Sequence, residues 1–207
     1  MNNDSHKLPI GIQSFEKLIT ERYIYVDKTD YIYNLVHSGA SYFLSRPRRF
    51  GKSLLLSTLK SYWEGKRELF SGLLIEKMES DNADSWQKYP VFYFDFNKDS
   101  YNNRNTLENI LEEHLVDWEQ TYKLDQKDLP QPERFRRLIK TAYELSGKGV
   151  VVLVDEYDKP LLDTIADIEV EEHNKNVFKG FFSTLKSYDE YIKFNYANNQ
   201  LIVQPVR

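Results

Sequence analysis

The sequence predicts an α/β fold, doubly wound, with a mainly parallel sheet covered by helices on both faces. Three observations carry this. Short apolar segments rich in β-branched and aromatic residues recur along the chain, and stretches of helical period lie between them. The strongest of them, GVVVLVDE at 149–156, is a continuous apolar run of the kind found in strands buried on both faces. Strands alternating with helices of this length argue for βαβ units.

The elements follow in chain order. SYFLS (41–45), PVFYFDF (90–96) and GVVVLVDE (149–156) read as buried strands bounded by turn or charged residues, and YIKFNY (191–196) as a weaker fourth. After the first strand, Leu55, Leu59, Tyr62 and Trp63 recur at helical spacing. After the second, so do Leu107, Ile110, Leu111, His114, Leu115 and Trp118. Two further helices are expected at 132–146, with Phe135, Leu138, Ile139 and Ala142 on one face, and at 170–187, with Val177, Phe178, Phe181, Phe182 and Leu185. Pro132 and Pro160 stand where a helix would start. The polar stretches 80–90 and 123–132 read as surface loops, and no repeat or domain linker interrupts the chain, so residues 1–207 are expected to form a single domain.

Composition narrows the function. The 207 residues are 41% hydrophobic and 14% aromatic, enough for a sizeable core, and Gly 8 with Pro 7 excludes a collagen-like or low-complexity chain. Net charge is −4, so no global positive field advertises nucleic acid or an anionic membrane, and any anion site must be local. Without cysteine there is no disulfide framework, thiol nucleophile or thiolate zinc site. The four histidines, at 6, 37, 114 and 173, lack metal-ligand spacing; His114, on the apolar face of its helix, reads as a core residue. The polar start MNNDSHK has no signal-peptide core, and no apolar run is long enough to span a bilayer, so a cytoplasmic, non-membrane protein is expected.

The chemistry concentrates in SRPRRFGKSLLLSTL at 45–59. A phosphate loop needs a strand, a turn of inward-facing backbone N–H groups, a lysine for the β and γ phosphates, and a hydroxyl for Mg²⁺ at a helix start. Strand 41–45 leads in, Gly51 allows close backbone approach, Lys52 supplies the charge and Ser53 is the candidate Mg²⁺ ligand. Arg46 takes the place of the first glycine in the GxxxxGK[ST] pattern, and Pro47 helps rigidify the loop. The plain reading is that GKS begins an ordinary helix after a basic loop; the matching strand and helix favour the phosphate loop. For Arg46, Arg48 and Arg49 three readings stand: extra phosphate contacts, a nucleic-acid patch, or a solvated basic loop.

The second signal is the strand ending in Asp155 and Glu156. Ligands bind at the carboxyl ends of strands in open α/β sheets, so Asp155 could hold Mg²⁺ through water and Glu156 could orient or deprotonate an attacking water. Alone, such a pair is a charged turn; with the phosphate loop, it supplies the missing metal contact and base. Asp95 ends a neighbouring strand and more simply caps the turn after it.

LPIGIQSFEKLI (8–19), YVDKT (25–29), the SRPRRFGKSLLLSTL loop, YPVFYFDF, VVVLVDEYDKPL and KGFFSTLKSYDEYIKF together resemble the bacterial AAA-ATPase-like family over about residues 7–194. The resemblance implies a P-loop NTPase three-layer sandwich of the additional-strand (ASCE, AAA-like) type, usually followed by a PD-(D/E)XK nuclease-like domain. The Arg-Pro-Arg-Arg-Phe-Gly-Lys-Ser form is characteristic of that family. It implies that Arg46, Pro47, Arg48, Arg49, Phe50, Gly51, Lys52, Ser53 and Leu54 hold ATP, that Ser53 and Asp155 hold Mg²⁺, and that Lys52 and Glu156 serve catalysis. YVDKT suggests only a packing helix capped by Asp27 or Thr29. Relatives continue through a strand with a polar sensor residue, whereas 195–207 reads as a divergent tail with Asn195, Asn198 and Asn199 as its polar candidates, and the family's carboxyl-terminal parts are expected to be missing. The expected function is Mg²⁺-dependent ATP binding with hydrolysis to ADP and phosphate; the alternative is a non-hydrolysing nucleotide-binding or interaction module. Expected partners are ATP and a protein, a second copy included, with nucleic acid reached only through the arginine loop or a nuclease-like domain.

Overall fold

All six residues of Val150–Asp155 are buried, which places this strand in the middle of the molecule with both faces covered. A computed structural model describes residues 7–39, 41–45, 50–97, 99–125 and 128–199. Among them lie four strands, β1 (Ser41–Ser45), β2 (Val91–Asp95), β3 (Val150–Asp155) and β4 (Ile192–Asn199), all paired in parallel in the order β1-β4-β3-β2. The α/β, doubly wound expectation holds. The last strand returns between the strand that leads into the basic loop and the strand that ends in Asp155, as the additional-strand type of P-loop fold requires.

The alternation of β3 sorts the two layers. Val150, Val152 and Val154 face a cluster built with Phe92, Phe94, Leu111 and Phe135, under α5 (Thr106–Tyr122), α6 (Gln131–Ser146) and α8 (Ile168–Ser187). Val151 and Leu153 face the opposite cluster with Phe15, Ile32, Leu56 and Phe194. That layer holds α1 (Phe15–Thr20), α2 (Thr29–Ser38), α3 (Lys52–Trp63) and α4 (Leu74–Met78). Between β3 and α8 sits one short turn of helix, α7 (Lys159–Leu162), with Pro160 in its first turn. Burying a Leu, Val or Phe side chain is worth about 1.5–3 kcal/mol, so these clusters dominate the fold's stability.

Several expectations sharpen. The weak fourth strand runs through Asn199, because it gains ladder partners on both sides, from β1 and from β3. On α3 the fully buried stripe is Leu56, Leu59, Tyr62 and Trp63; Leu55 is half-buried and faces a cavity described below. Gly149 has a steric reason: an added Cβ would lie 2.9 Å from the backbone N of Lys193, where the β3–β4 register shifts at Val150/Val151.

The YVDKT segment also acquires a role. The Asp27 carboxylate accepts the Thr29 backbone N–H at 2.9 Å and the Thr29 hydroxyl at 2.7 Å with one oxygen, and the Leu74 N–H at 2.7 Å with the other. Thr29 Oγ1 in turn accepts from the Ile75 N–H at 3.0 Å. One side chain therefore satisfies the open amino ends of α2 and α4 together and ties them to each other.

Candidate functional site

In the parallel register Phe43 of β1, Ala197 of β4 and Val154 of β3 share one row, so Ser45 and Asp155 end their strands at the same carboxyl edge. Gly51 precedes α3 in the left-handed region, at φ 75° and ψ 21°. A Cβ there would meet no atom within 4 Å, so backbone conformation and not crowding calls for glycine. α3 starts directly afterwards with no side chain capping it and no acidic residue in its first turn, which leaves its amino end suited to an anion.

Lys52 is the first residue of α3. It is 5% exposed, and its Nζ has no hydrogen-bond partner among the described residues. A buried ammonium without a partner is costly, and a fold retains one where a ligand supplies the counter-charge. Ser53 follows, half-buried, and Phe50 lies 63% exposed at the rim. Arg46, Pro47, Arg48 and Arg49, the other expected phosphate contacts, lie outside the described residues.

Across the edge, Asp155 is 4% exposed and its Oδ2 accepts a hydrogen bond from the Tyr93 hydroxyl at 3.0 Å. Burial, and then the Asp155 charge, push the Tyr93 phenol far above its usual range, so it stays a donor and fixes the carboxylate. Glu156 stands one residue on, at φ 52°. A left-handed glutamate costs about 1–2 kcal/mol, and such strain clusters at functional sites. Ser53 and Asp155 offer hydroxyl and carboxylate oxygens, a donor set that suits Mg²⁺, which keeps several waters and takes one or two carboxylates together with phosphate oxygens. No cluster of three or more His, Cys, Asp or Glu side chains fit to hold a metal unaided exists among the described residues.

Other strand-end residues fall away from the chemistry. Asp95 Oδ1 accepts the Asn97 N–H at 2.9 Å, capping its turn as expected. His114 is buried against Trp118 and lies 3.4 Å from the Asp95 N–H. Asn195 pairs with Ser41 at the amino end of β1 and donates to its Oγ at 2.9 Å, which takes it away from the site. The register instead sets Asn199 opposite Ser45, the last residue before the basic loop.

One feature escaped the sequence reading. Beside Gly51 and Lys52 opens a cavity of about 480 Å³, walled by Ile24, Tyr25, Val26 and Lys28, by Tyr31 of α2 and by Leu55 of α3. Its lining joins Phe50, Gly51, Lys52 and Leu54 of the basic-loop motif to residues 24–31, a segment that carries no motif tied to a ligand.

Among the described residues no helix is long and apolar enough to cross a membrane. No solved structure matches the chain. A protein of Azotobacter chroococcum mcd 1, named as an uncharacterized protein in the vnfD 5'region, is 39% identical over 189 residues, which are 91% of this chain and 36% of the relative. The chain thus spans about a third of the length of the curated relative it matches. The family described as "Predicted AAA-ATPase" matches residues 9–198, and with a left-handed glycine before α3, a buried lysine at its start and an acidic strand end on the same sheet edge, the chain belongs to that family.

Proposed function

We propose that the protein binds ATP with Mg²⁺ at the carboxyl edge of its sheet and hydrolyses it to ADP and phosphate. The observation that carries the reading is the buried Lys52 ammonium, without a partner among the described residues, at the uncapped start of α3. Lys52 would meet the β and γ phosphates, and the first backbone N–H groups of α3 the negative charge between them. Ser53 and Asp155 would hold the ion, which when bound neutralises charge on the phosphate oxygens. Tyr93 keeps Asp155 in place. Glu156, aimed by its left-handed backbone, would orient the attacking water and take its proton. Arg46, Arg48 or Arg49 would add charge at the γ phosphate.

Titration calorimetry with MgATP on the parent chain and on Lys52→Ala tests binding, with a loss of about 2–4 kcal/mol expected for a desolvated charge-assisted contact. Equal affinity of the two proteins refutes the phosphate assignment. Phosphate release at saturating MgATP tests the hydrolytic step, and its absence alongside intact binding would favour the non-hydrolysing module.

A further inference from the structure

At the far end of α3 from Lys52, about 17 Å away at 1.5 Å per residue, a second cavity opens. It is lined by Trp63, the last residue of α3, by Tyr89 just ahead of β2, by Lys193 at the start of β4 and by His37 of α2, so it lies at the amino edge of the sheet. Its volume is about 220 Å³, the liquid volume of about seven waters, which suits a small polar molecule.

The walls are held from behind. Glu79 is 1% exposed and does not line the cavity, yet both its oxygens are engaged by residues that do. Oε1 accepts the Tyr62 hydroxyl at 2.6 Å and lies 2.8 Å from His37 Nε2, and Oε2 accepts the Asn82 amide at 2.8 Å. One buried carboxylate thus fixes wall residues from α3, from α2 and from the loop after α4, the support that keeps a binding geometry in place. Trp86, another wall, has a φ of 60°, where a bulky L-residue is an outlier and where strain gathers at ligand clamps. The turn after α3 packs closely on it: a Cβ added at Gly65 would lie 2.8 Å from the Trp86 carbonyl oxygen.

The polar groups make two opposite demands. Trp63 is 4% exposed, and its Nε1–H has no hydrogen-bond partner among the described residues. A buried donor left in this way is costly and calls for an acceptor from outside the chain. Lys193 and Asp84 are exposed and line the same cavity, and neither has an ion-pair partner among the described residues, so their charges do not reach each other. Asp84 Oδ1 accepts from Gln87 Nε2 at 3.0 Å, which orients the carboxylate. The Tyr62 ring centroid lies 5.3 Å from that of Trp63 and 5.3 Å from that of Trp86, and ring faces of this kind attract a cation. A simple anion would leave Asp84 unmatched, and a simple cation would leave the indole N–H unmatched.

We propose that this cavity binds a small zwitterion of the amino-acid or betaine type, its carboxylate met by Trp63 Nε1–H and Lys193 and its cationic nitrogen by Asp84 and the rings of Tyr62 and Trp86. None of these residues has a part in the ATP reading, so the site stands independently of it.

The test titrates glycine, L-serine and glycine betaine into the whole chain, with acetate and tetramethylammonium as the two halves of the ligand. Two of the chain's three tryptophans, Trp63 and Trp86, line the cavity, so indole fluorescence reports occupancy and calorimetry checks it. The parent should bind at least one zwitterion about tenfold more tightly than either half. Asp84→Asn, which keeps an acceptor for Gln87, should weaken that zwitterion about tenfold and leave acetate within about twofold. Lys193→Gln should weaken the zwitterion and acetate alike and leave tetramethylammonium within about twofold. Trp63→Phe removes the indole donor and should weaken the same two ligands; the other two variants change exposed side chains, so the test does not depend on how this one folds. Glycine above betaine supports a seat dominated by Asp84, and betaine above glycine one dominated by the rings. Binding of no zwitterion by the parent overturns the site. Acetate or tetramethylammonium bound as tightly as the best zwitterion overturns the two-headed ligand, and parental affinity in both Asp84→Asn and Lys193→Gln overturns the roles given to the two charges.

Discussion

Replacing Lys52 by methionine should make the free protein more stable and its nucleotide complex less so. Lys52 is 95% buried, and its ammonium finds no hydrogen-bond partner among the described residues. The effective penalty for an ion taken out of water is several kcal/mol, and apolar replacements of buried charges often gain about 1–4 kcal/mol. Lys52→Met keeps the unbranched stem, one atom shorter, and removes the charge. For a chain of this size about 1 kcal/mol moves Tm by about 2–4 °C, so the free variant should melt a few degrees above the parent. MgATP at a hundred times the parent's Kd should stabilise the parent by about 2.7 kcal/mol. A variant binding a hundredfold more weakly should gain only about 0.4 kcal/mol under the same conditions. Thermal melts of both proteins, with and without MgATP, read out both effects. A variant that melts below the parent when free, or that shows the parent's full MgATP shift, would show that Lys52 is not an uncompensated charge awaiting phosphate.

Two further predictions concern the scaffold. Arg134 is almost wholly buried and forks onto Glu119, with Nε and Nη2 at 2.7 Å from its two oxygens, while Nη1 reaches Glu112 at 2.6 Å. Arg134→Ala leaves the Glu119 charge buried without its partner and should cost about 3–5 kcal/mol in urea unfolding, well beyond a surface substitution. The tyrosines predict alkaline lability. Burial, and next Asp27, raise the Tyr25 phenol from 10.0 to about 12, and burial above all raises Tyr62, Tyr93 and Tyr101 further. Above pH 10 the unfolded chain releases phenolic protons that the native state retains. Stability is therefore fully present below pH 10 and falls as pH rises, by up to about 1.4 kcal/mol per unit for each such tyrosine. Urea midpoints at pH 9 and pH 11 should differ by more than any change in slope explains, and equal midpoints would refute the shifts.

The fold was readable because its signals are local. Phe135, Leu138, Ile139 and Ala142 repeat at helical spacing and are all buried on α6; the unbroken apolar run of β3 announced a strand covered twice. The helix start at Lys52, on which the phosphate-loop expectation rests, was readable for the same reason, since GKS after a strand is a contiguous pattern. What stayed hidden depends on distant partners. The Asp27 latch joins residues 47 apart, and nothing near Asp27 in sequence announces Leu74. The cavity draws on Tyr25, Tyr31 and Leu55, which carry no shared spacing. Tyr93 reads only as a strand residue until the sheet sets it beside Asp155, 62 positions later. The full length of β4 was equally concealed, because the polar residues Asn195, Asn198 and Asn199 weaken its strand pattern while the ladders of β1 and β3 impose it.

Glu156 separates backbone strain from side-chain chemistry, and two substitutions there should part company. Its φ of 52° lies where a residue with a Cβ pays about 1–2 kcal/mol. Val154 and Asp155 are held in the β3 ladder and Lys159 N–H bonds back to Glu156 C=O at 3.0 Å, so the turn is imposed from both sides and cannot relax. Glu156→Gln keeps the Cβ and the strain; its melting temperature should match the parent's. Glu156→Gly removes the strain but adds freedom to the unfolded chain worth about 0.5–1 kcal/mol, leaving a net gain of about 0.5–1 kcal/mol. Both should bind MgATP as the parent does, since neither touches Lys52 or Ser53, and both should lose phosphate release by a factor of about 10²–10⁴ if the carboxylate is the base. Stability rising in the glycine variant alone, with turnover lost in both, is the pattern expected of a carboxylate held in an unfavourable backbone for its chemistry. Turnover preserved in Glu156→Gln would remove the base from the mechanism, and a glycine variant no more stable than the glutamine one would remove the strain.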